Sequence, residues 1–124
     1  MKECPLFDVV PEKPQNCSIL NAIVNDVDDI SFELAWRLPH PNGILRMHNI
    51  TATCISLDNS KTIRKQGYRA VIMPNQSDTY KVTLDGLQKY SECTVYIAGV
   101  TEAGVGQFVS CIDSTPLTSI YASS

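Results

Sequence analysis

Ile30-Ser31-Phe32-Glu33-Leu34-Ala35-Trp36-Arg37-Leu38-Pro39 alternates apolar with other residues until it reaches the chain's single Trp and then a Pro. A side-chain period of 2 puts Ile30, Phe32, Leu34 and Trp36 on one face of a strand, whereas a helix would scatter them around its axis. The stretch reads as a half-buried strand. Trp36 is the largest apolar side chain available, so it belongs near the middle of a core, where its indole N–H needs a partner if it is fully covered. Truncating it to Ala would cost roughly 3–5 kcal/mol, a large share of the stability of a small domain.

The same alternation recurs on both sides of this stretch. Upstream, Cys17, Ile19 and Ala22-Ile23-Val24 form a strand of uneven pattern, closed by the polar turn Asn25-Asp26-Val27-Asp28-Asp29. Downstream, Pro39, His40, Pro41, Asn42 and Gly43 forbid continued pairing and turn the chain. The next strand begins near Leu45 and carries His48, Ile50, Ala52 and Cys54 inward, which leaves Asn49, Thr51 and Thr53 facing out. Thr62 to Met73 reads as one or two short strands around Gly67. Tyr80, Val82 and Leu84 alternate again, then come the turn Asp85-Gly86 and Leu87. Cys93, Val95 and Ile97 make a further inward set, followed by a Gly-rich hairpin turn through Thr101, Glu102, Ala103, Gly104, Val105 and Gly106, and a last strand from Phe108 to Ile112. About seven short strands at regular spacing, with no convincing helix, predict an all-β sandwich. Its expected core is Ile30, Phe32, Leu34, Trp36, Ile50, Tyr80, Val82, Leu84, Leu87, Val95 and Ile97.

A length of 124 residues suits one domain, and 44% apolar with 19% charged residues is a globular composition. The net charge of -3 provides no basic footprint for nucleic acid. No apolar run is long enough to span a membrane and no signal peptide is recognisable, so no direct membrane insertion is expected of this segment. Met1-Lys2-Glu3 reads as the start of a piece cut from a longer secreted or membrane protein. The expected organisation is an extended lead-in over residues 1–13, one module over 14–116 and a linker over 117–124.

Two independent patterns point outside the cell. Asn16-Cys17-Ser18, Asn49-Ile50-Thr51 and Asn75-Gln76-Ser77 each satisfy the acceptor pattern for N-linked glycans. Asn49 faces outward by alternation, and Asn75 falls in the loop that starts at Pro74. The five cysteines, Cys4, Cys17, Cys54, Cys93 and Cys111, are widely spaced with no close pair, which suits disulfides rather than zinc and leaves one cysteine odd.

Catalytic chemistry has little to stand on. His48 lies on an inward strand position, where a buried, hydrogen-bonded ring is expected, and His40 reads as a solvated turn residue. Asp26, Asp28 and Asp29 lack EF-hand spacing. Lys61, Arg64, Lys65 and Arg69 read as a charged edge that discourages sheet-to-sheet association. No enzyme activity, metal or cofactor is expected.

In order and spacing these landmarks resemble a fibronectin type III domain, from about Pro14 to Thr115. The residues that carry the resemblance are Trp36, Pro39, Pro41, Asn42-Gly43, Leu45, Tyr80, Val82, Leu84, Leu87, Val95, Ile97 and Gly104-Val105-Gly106. The resemblance implies a seven-stranded immunoglobulin-like β-sandwich. It also shows departures: the family's third-strand Tyr falls on His48, its corner Tyr on Cys93, and its small sixth-strand residue on Gly99.

In the family's topology the third and sixth strands are antiparallel neighbours, which brings Cys54 and Cys93 to the same height and implies a bridge between them. Cys17 and Cys111 would lie at the other pole along one lateral edge and form the second pair, leaving Cys4 odd; the alternative pairs Cys4 with Cys111. The resemblance further implies a non-catalytic extracellular module of a receptor or adhesion protein, such as a receptor tyrosine phosphatase or neural adhesion molecule. Such a module would act in protein–protein recognition or as a rigid spacer between adjacent domains. Its ligand loops would be Pro39, His40, Pro41, Asn42 and Gly43 together with Thr101, Glu102, Ala103, Gly104, Val105 and Gly106. A cytokine-type receptor domain, whose Trp-Ser-x-Trp-Ser motif is missing here, and an intracellular structural module with reduced cysteines are the alternatives.

Overall fold

The computed structural model describes residues 10–26, 29–58, 62–70 and 79–116, without the side chains of residues 66 and 68–70. These residues form β1 (Gln15–Asp26), β2 (Asp29–Arg37), β3 (Met47–Ser56), β4 (Ile63–Ala70), β5 (Thr79–Leu87), β6 (Ser91–Thr101), the two-residue β7 (Gly104–Val105) and β8 (Val109–Ser114). One sheet has the order β1-β2-β5; the other has β4-β3-β6, with β7 and β8 both pairing to β6. Every pairing is antiparallel. The result is an all-β sandwich, with seven strands of ordinary length and β7 as a short continuation of the last edge.

The inner faces meet in one core. Ile30, Phe32, Leu34 and Trp36 of β2 pack with Ile50, Ala52 and Cys54 of β3, Tyr80, Leu84 and Leu87 of β5, and Cys93, Val95 and Ile97 of β6. Trp36 is 1% exposed. Val82 is only half-buried, because β5 is an edge strand and its middle is open on one side.

Irregular register accounts for the patterns that alternation alone leaves uneven. β1 pairs with β2 through three register shifts, between Gln15 and Ser18, Ile19 and Asn21, and Val24 and Asp26. Each inserts an unpaired residue and resets which side chains face in. Ile19 and Ala22 therefore both pack on the core while Leu20 is 51% exposed. A shift on the other side of β2 places Ile30 opposite Leu87 and Phe32 opposite Leu84, which brings a leucine pair spaced three apart onto one face. β4 runs through Gly67 as a single strand; residues 71–73 lie outside the described residues.

Val10 to Lys13, assigned above to an extended lead-in, packs on the sandwich. Pro11 is fully buried. A Cβ placed on Gly106 would come within 2.3 Å of the Pro11 carbonyl oxygen, and one on Gly99 would meet Leu38 Cδ2 at 2.7 Å and Pro11 Cβ at 3.3 Å. Both glycines are needed for this close approach, and with them Pro11 and Leu38 close one end of the core.

Candidate functional site

The end of the sandwich where β2 leaves and β3 enters carries the predicted ligand loops, and they lie side by side. Asn42 takes φ 60° and Gly43 φ 153°, so the Asn-Gly pair turns the chain with positive φ at both positions. A Cβ on Gly43 would lie 3.7 Å from the Thr101 side chain. The Arg46 backbone N–H donates to the Val100 carbonyl at 2.8 Å, and the Arg46 guanidinium pairs with the Glu102 carboxylate. That ion pair is exposed on both sides, so it adds little stability. The N-terminal segment braces the same loop. The Glu12 N–H donates to the His40 carbonyl at 3.1 Å, and the Asn42 side-chain amide donates to the Val10 carbonyl at 3.0 Å.

Within the second loop, the Ala103 N–H donates to Thr101 Oγ1 and the Gly106 N–H donates to the Gly99 carbonyl. Pro39 and Pro41 are half-buried, while His40, Asn42, Gly43, Glu102 and Val105 are exposed. Ile44 is 86% exposed, and Val105 and Phe108 exceed 40%. A shallow cleft lies beside them, lined by Val10, Pro11, Glu12, Lys13, Asn42 and Gln107. The arrangement presents fixed backbone turns and isolated apolar side chains. It assembles no nucleophile with a base.

Two disulfides frame the sandwich. Cys54 and Cys93 are paired residues on β3 and β6, buried at 1% and 0% exposure, and joined. Cys17 and Cys111 join edge strands β1 and β8 across one lateral side, with Cα atoms 5.7 Å apart. Cys17, between the Gln15–Arg37 and Ser18–Ala35 pairs, lies toward the loop pole, while Cys111 pairs in register with Val95 nearer the middle of β6. Cys4 lies outside the described residues.

No family model and no curated protein matches the chain. Solved structures do. The FN5 domain of Drosophila Lar is 21% identical with a TM-score of 0.52, covering 86% of this chain and 98% of that one. The third fibronectin III domain of human KIAA0343 protein is 20% identical with a TM-score of 0.57, covering 89% and 86%. The fn3 domain of human collagen alpha-1(XX) chain is 21% identical with a TM-score of 0.54, covering 86% of each.

The chain has the fibronectin type III fold.

Against that fold, the two substituted aromatic positions can be followed in atoms. His48 is fully buried between two rings, 4.9 Å from the Trp36 ring centroid at 72° and 4.7 Å from that of Tyr80 at 61°. The expected hydrogen bond is missing. Neither ring nitrogen of His48 has a partner among the described residues, nor does the Trp36 indole N–H, because the interior at this height is aromatic. Burial pushes the His48 imidazole down to about 4, so at neutral pH it is an uncharged packing element.

Cys93, the residue that the resemblance sets at the family's corner tyrosine, lies at the start of β6 and is bonded to Cys54. The disulfide is joined there by a buried polar cluster that alternation does not flag. Thr115 Oγ1 donates to the Gln88 carbonyl at 2.7 Å and accepts from the Ser91 N–H at 2.8 Å. The Gln88 side-chain amide donates to Ser91 Oγ and to the Thr62 carbonyl. Their only trace in the sequence is a set of polar residues flanking inward strand positions.

Of the glycan acceptors, Asn16 is exposed at φ 57°, Asn49 is half-buried on the outer face of β3, and Asn75 lies outside the described residues. Asp29 Oδ1 accepts from the Gly86 N–H at 3.0 Å, which gives that carboxylate a structural partner; Asp28 lies outside the described residues. Among the described residues, no group of three His, Cys, Asp or Glu is placed to hold a metal, and no helix is long and apolar enough to cross a membrane. Of the basic cluster, Arg64 donates to the Gly86 carbonyl and Lys65 is exposed on edge strand β4; Lys61 and the Arg69 side chain are outside the description.

Proposed function

We propose that this chain is a non-catalytic module from the extracellular part of a cell-surface receptor or adhesion protein. It acts by presenting the loops at 39–44 and 101–107 to a protein ligand, or by holding neighbouring domains at a fixed distance. The observation that carries the reading is the pair of disulfides, Cys17–Cys111 and Cys54–Cys93, since bonds of this kind persist in oxidising compartments. The three acceptor sequons support the same location. Recognition through the loop pole is supported by its rigidity. The first loop is held to residues 10–13 by the Glu12–His40 backbone bond and the Asn42–Val10 side-chain bond, and the second packs on Pro11 through Gly106. The Arg46–Val100 backbone bond ties the strand ends beside them, so little ordering entropy opposes binding there. In this reading Asn16 and Asn49, and Asn75 where it is reached, carry glycans, and Cys4 is left for a neighbouring segment.

Counting free thiols under denaturing conditions tests the reading, in protein made in an oxidising compartment. The expected result is one reactive thiol, from Cys4, or none if Cys4 has found an external partner. Five reactive thiols would overturn it and favour an intracellular module.

A further inference from the structure

The two outward faces of the sandwich differ in character. The outer face of β2 and β5 carries Glu33, Arg37 and Lys81. The outer face of β3 and β6 instead sets Asn49, Thr51 and Thr53 in register with Ala98, Tyr96 and Thr94, a mostly hydroxyl and amide surface beside which β4 places Lys65 opposite Thr53. At its centre is an open cleft of about 350 Å³, lined by Thr51, Thr53, Lys65, Gly67 and Tyr96. Tyr96 is 40% exposed. Gly67 faces Thr51 from β4, and a Cβ placed on it would meet nothing nearer than Thr51 Cγ2 at 4.0 Å. Crowding does not demand a glycine there. Its lack of a side chain simply leaves the cleft open.

We propose that this cleft seats the innermost sugars of a glycan carried by Asn49 of the same chain, a proposal that rests on the extracellular reading above. Asn49 and Thr51 lie on one face of β3, two residues apart, so the acceptor amide is about 7 Å along the strand from the cleft. That is within reach of the first N-acetylglucosamine rings. Asn49 is half-buried on this face, with its Oδ1 covered and without a partner among the described residues. The lining matches the ligand. A sugar ring lays its C–H face on an aromatic side chain and bonds its hydroxyl and acetamido groups to hydroxyl and ammonium groups, and Tyr96, Thr51, Thr53 and Lys65 supply both kinds of surface. In the transfer, Asn49 Nδ2 bonds to the anomeric carbon of a lipid-linked diphosphate sugar donor. The carbon–oxygen bond to the diphosphate breaks with its electron pair, and the proton lost from Nδ2 leaves with the diphosphate. The seated glycan converts an open sheet face into a covered one and directs partners toward the loop pole.

The test uses the full chain secreted by a host that adds N-linked glycans. Peptide mass spectrometry reads occupancy at Asn49, and thermal unfolding compares the wild type with Asn49→Gln, each also in Tyr96→Ala and Gly67→Tyr backgrounds. Protein from a bacterial host corrects for the Gln substitution itself. The proposal expects Asn49 to be occupied. Losing the glycan should lower the unfolding midpoint by about 4 °C in the wild type and by under about 1 °C when Tyr96 is removed or the cleft is filled. Equal losses in all backgrounds, or none in the wild type, overturn the seating. Secreted, disulfide-bonded protein with Asn49 unoccupied overturns the site and leaves the extracellular reading standing; five free thiols overturn that reading and the site with it.

Discussion

Cys54 and Cys93 are register partners on β3 and β6, their Cα atoms 4.0 Å apart, where the sequence resemblance sets the family's corner tyrosine. A covalent link there closes a loop of sequence separation 39, which on the chain-entropy account is worth about 4 kcal/mol. That exceeds the roughly 1 kcal/mol a single corner hydrogen bond contributes. The double replacement Cys54→Ala with Cys93→Ala is expected to cost roughly 2–5 kcal/mol, read as a lower denaturant midpoint at unchanged slope.

The polar cluster at the same end shares the task. Thr115→Val removes the acceptor of the Ser91 N–H and the donor to the Gln88 carbonyl while keeping the side-chain volume. Leaving those buried groups unpaired should cost roughly 1–3 kcal/mol. Thr115→Ser, which keeps the hydroxyl, should recover most of the loss in chemical denaturation.

His48 makes stability depend on pH. Its folded-state value is about 4 against an ordinary 6.5, because burial without a partner penalises the charged ring. The unfolded chain therefore takes up the proton first as pH falls. The His48 contribution is intact above about 6.5 and is lost as pH drops towards 4, by a total on the order of 3 kcal/mol. His48→Phe should flatten the stability profile between those limits, measured as urea midpoints across pH. A variant profile as steep as that of the wild type would show that carboxylates, not His48, set the slope.

Gly106→Ala tests the strap formed by residues 10–13. A methyl group at Gly106 meets the Pro11 carbonyl oxygen at 2.3 Å, a backbone atom that must move. Overpacking of this kind should cost roughly 1–3 kcal/mol. It should also open the segment to limited proteolysis by a Glu-specific protease, with cleavage after Glu12 appearing before any cut in β2 or β6.

How much of this was legible in the residues depends on what their side chains obey. The β2, β3 and β6 faces follow alternation because both sides of each strand are paired, so Trp36, Ile50 and Val95 lie where period 2 puts them. β1 escapes that rule through its register shifts, which no local pattern encodes. Pro11 reads as lead-in because its burial comes from contacts with residues some 88 to 95 positions away at Gly99 and Gly106. His48 could be placed inward but not described. Its partners, the Trp36 and Tyr80 rings, arrive from the opposite sheet and offer packing where a hydrogen bond was expected. The adjacency of the two loops was legible only through family resemblance, since their contacts, such as Arg46 with Glu102, are long-range.

Mapping cross-linked peptides from unreduced secreted protein tests the central claim most directly, because one digest reads both compartment and strand adjacency. The account predicts Cys17 linked to Cys111 and Cys54 linked to Cys93, with Cys4 in neither pair. Recovery of Cys4 bridged to Cys111, or of Cys54 and Cys93 unlinked, would contradict it.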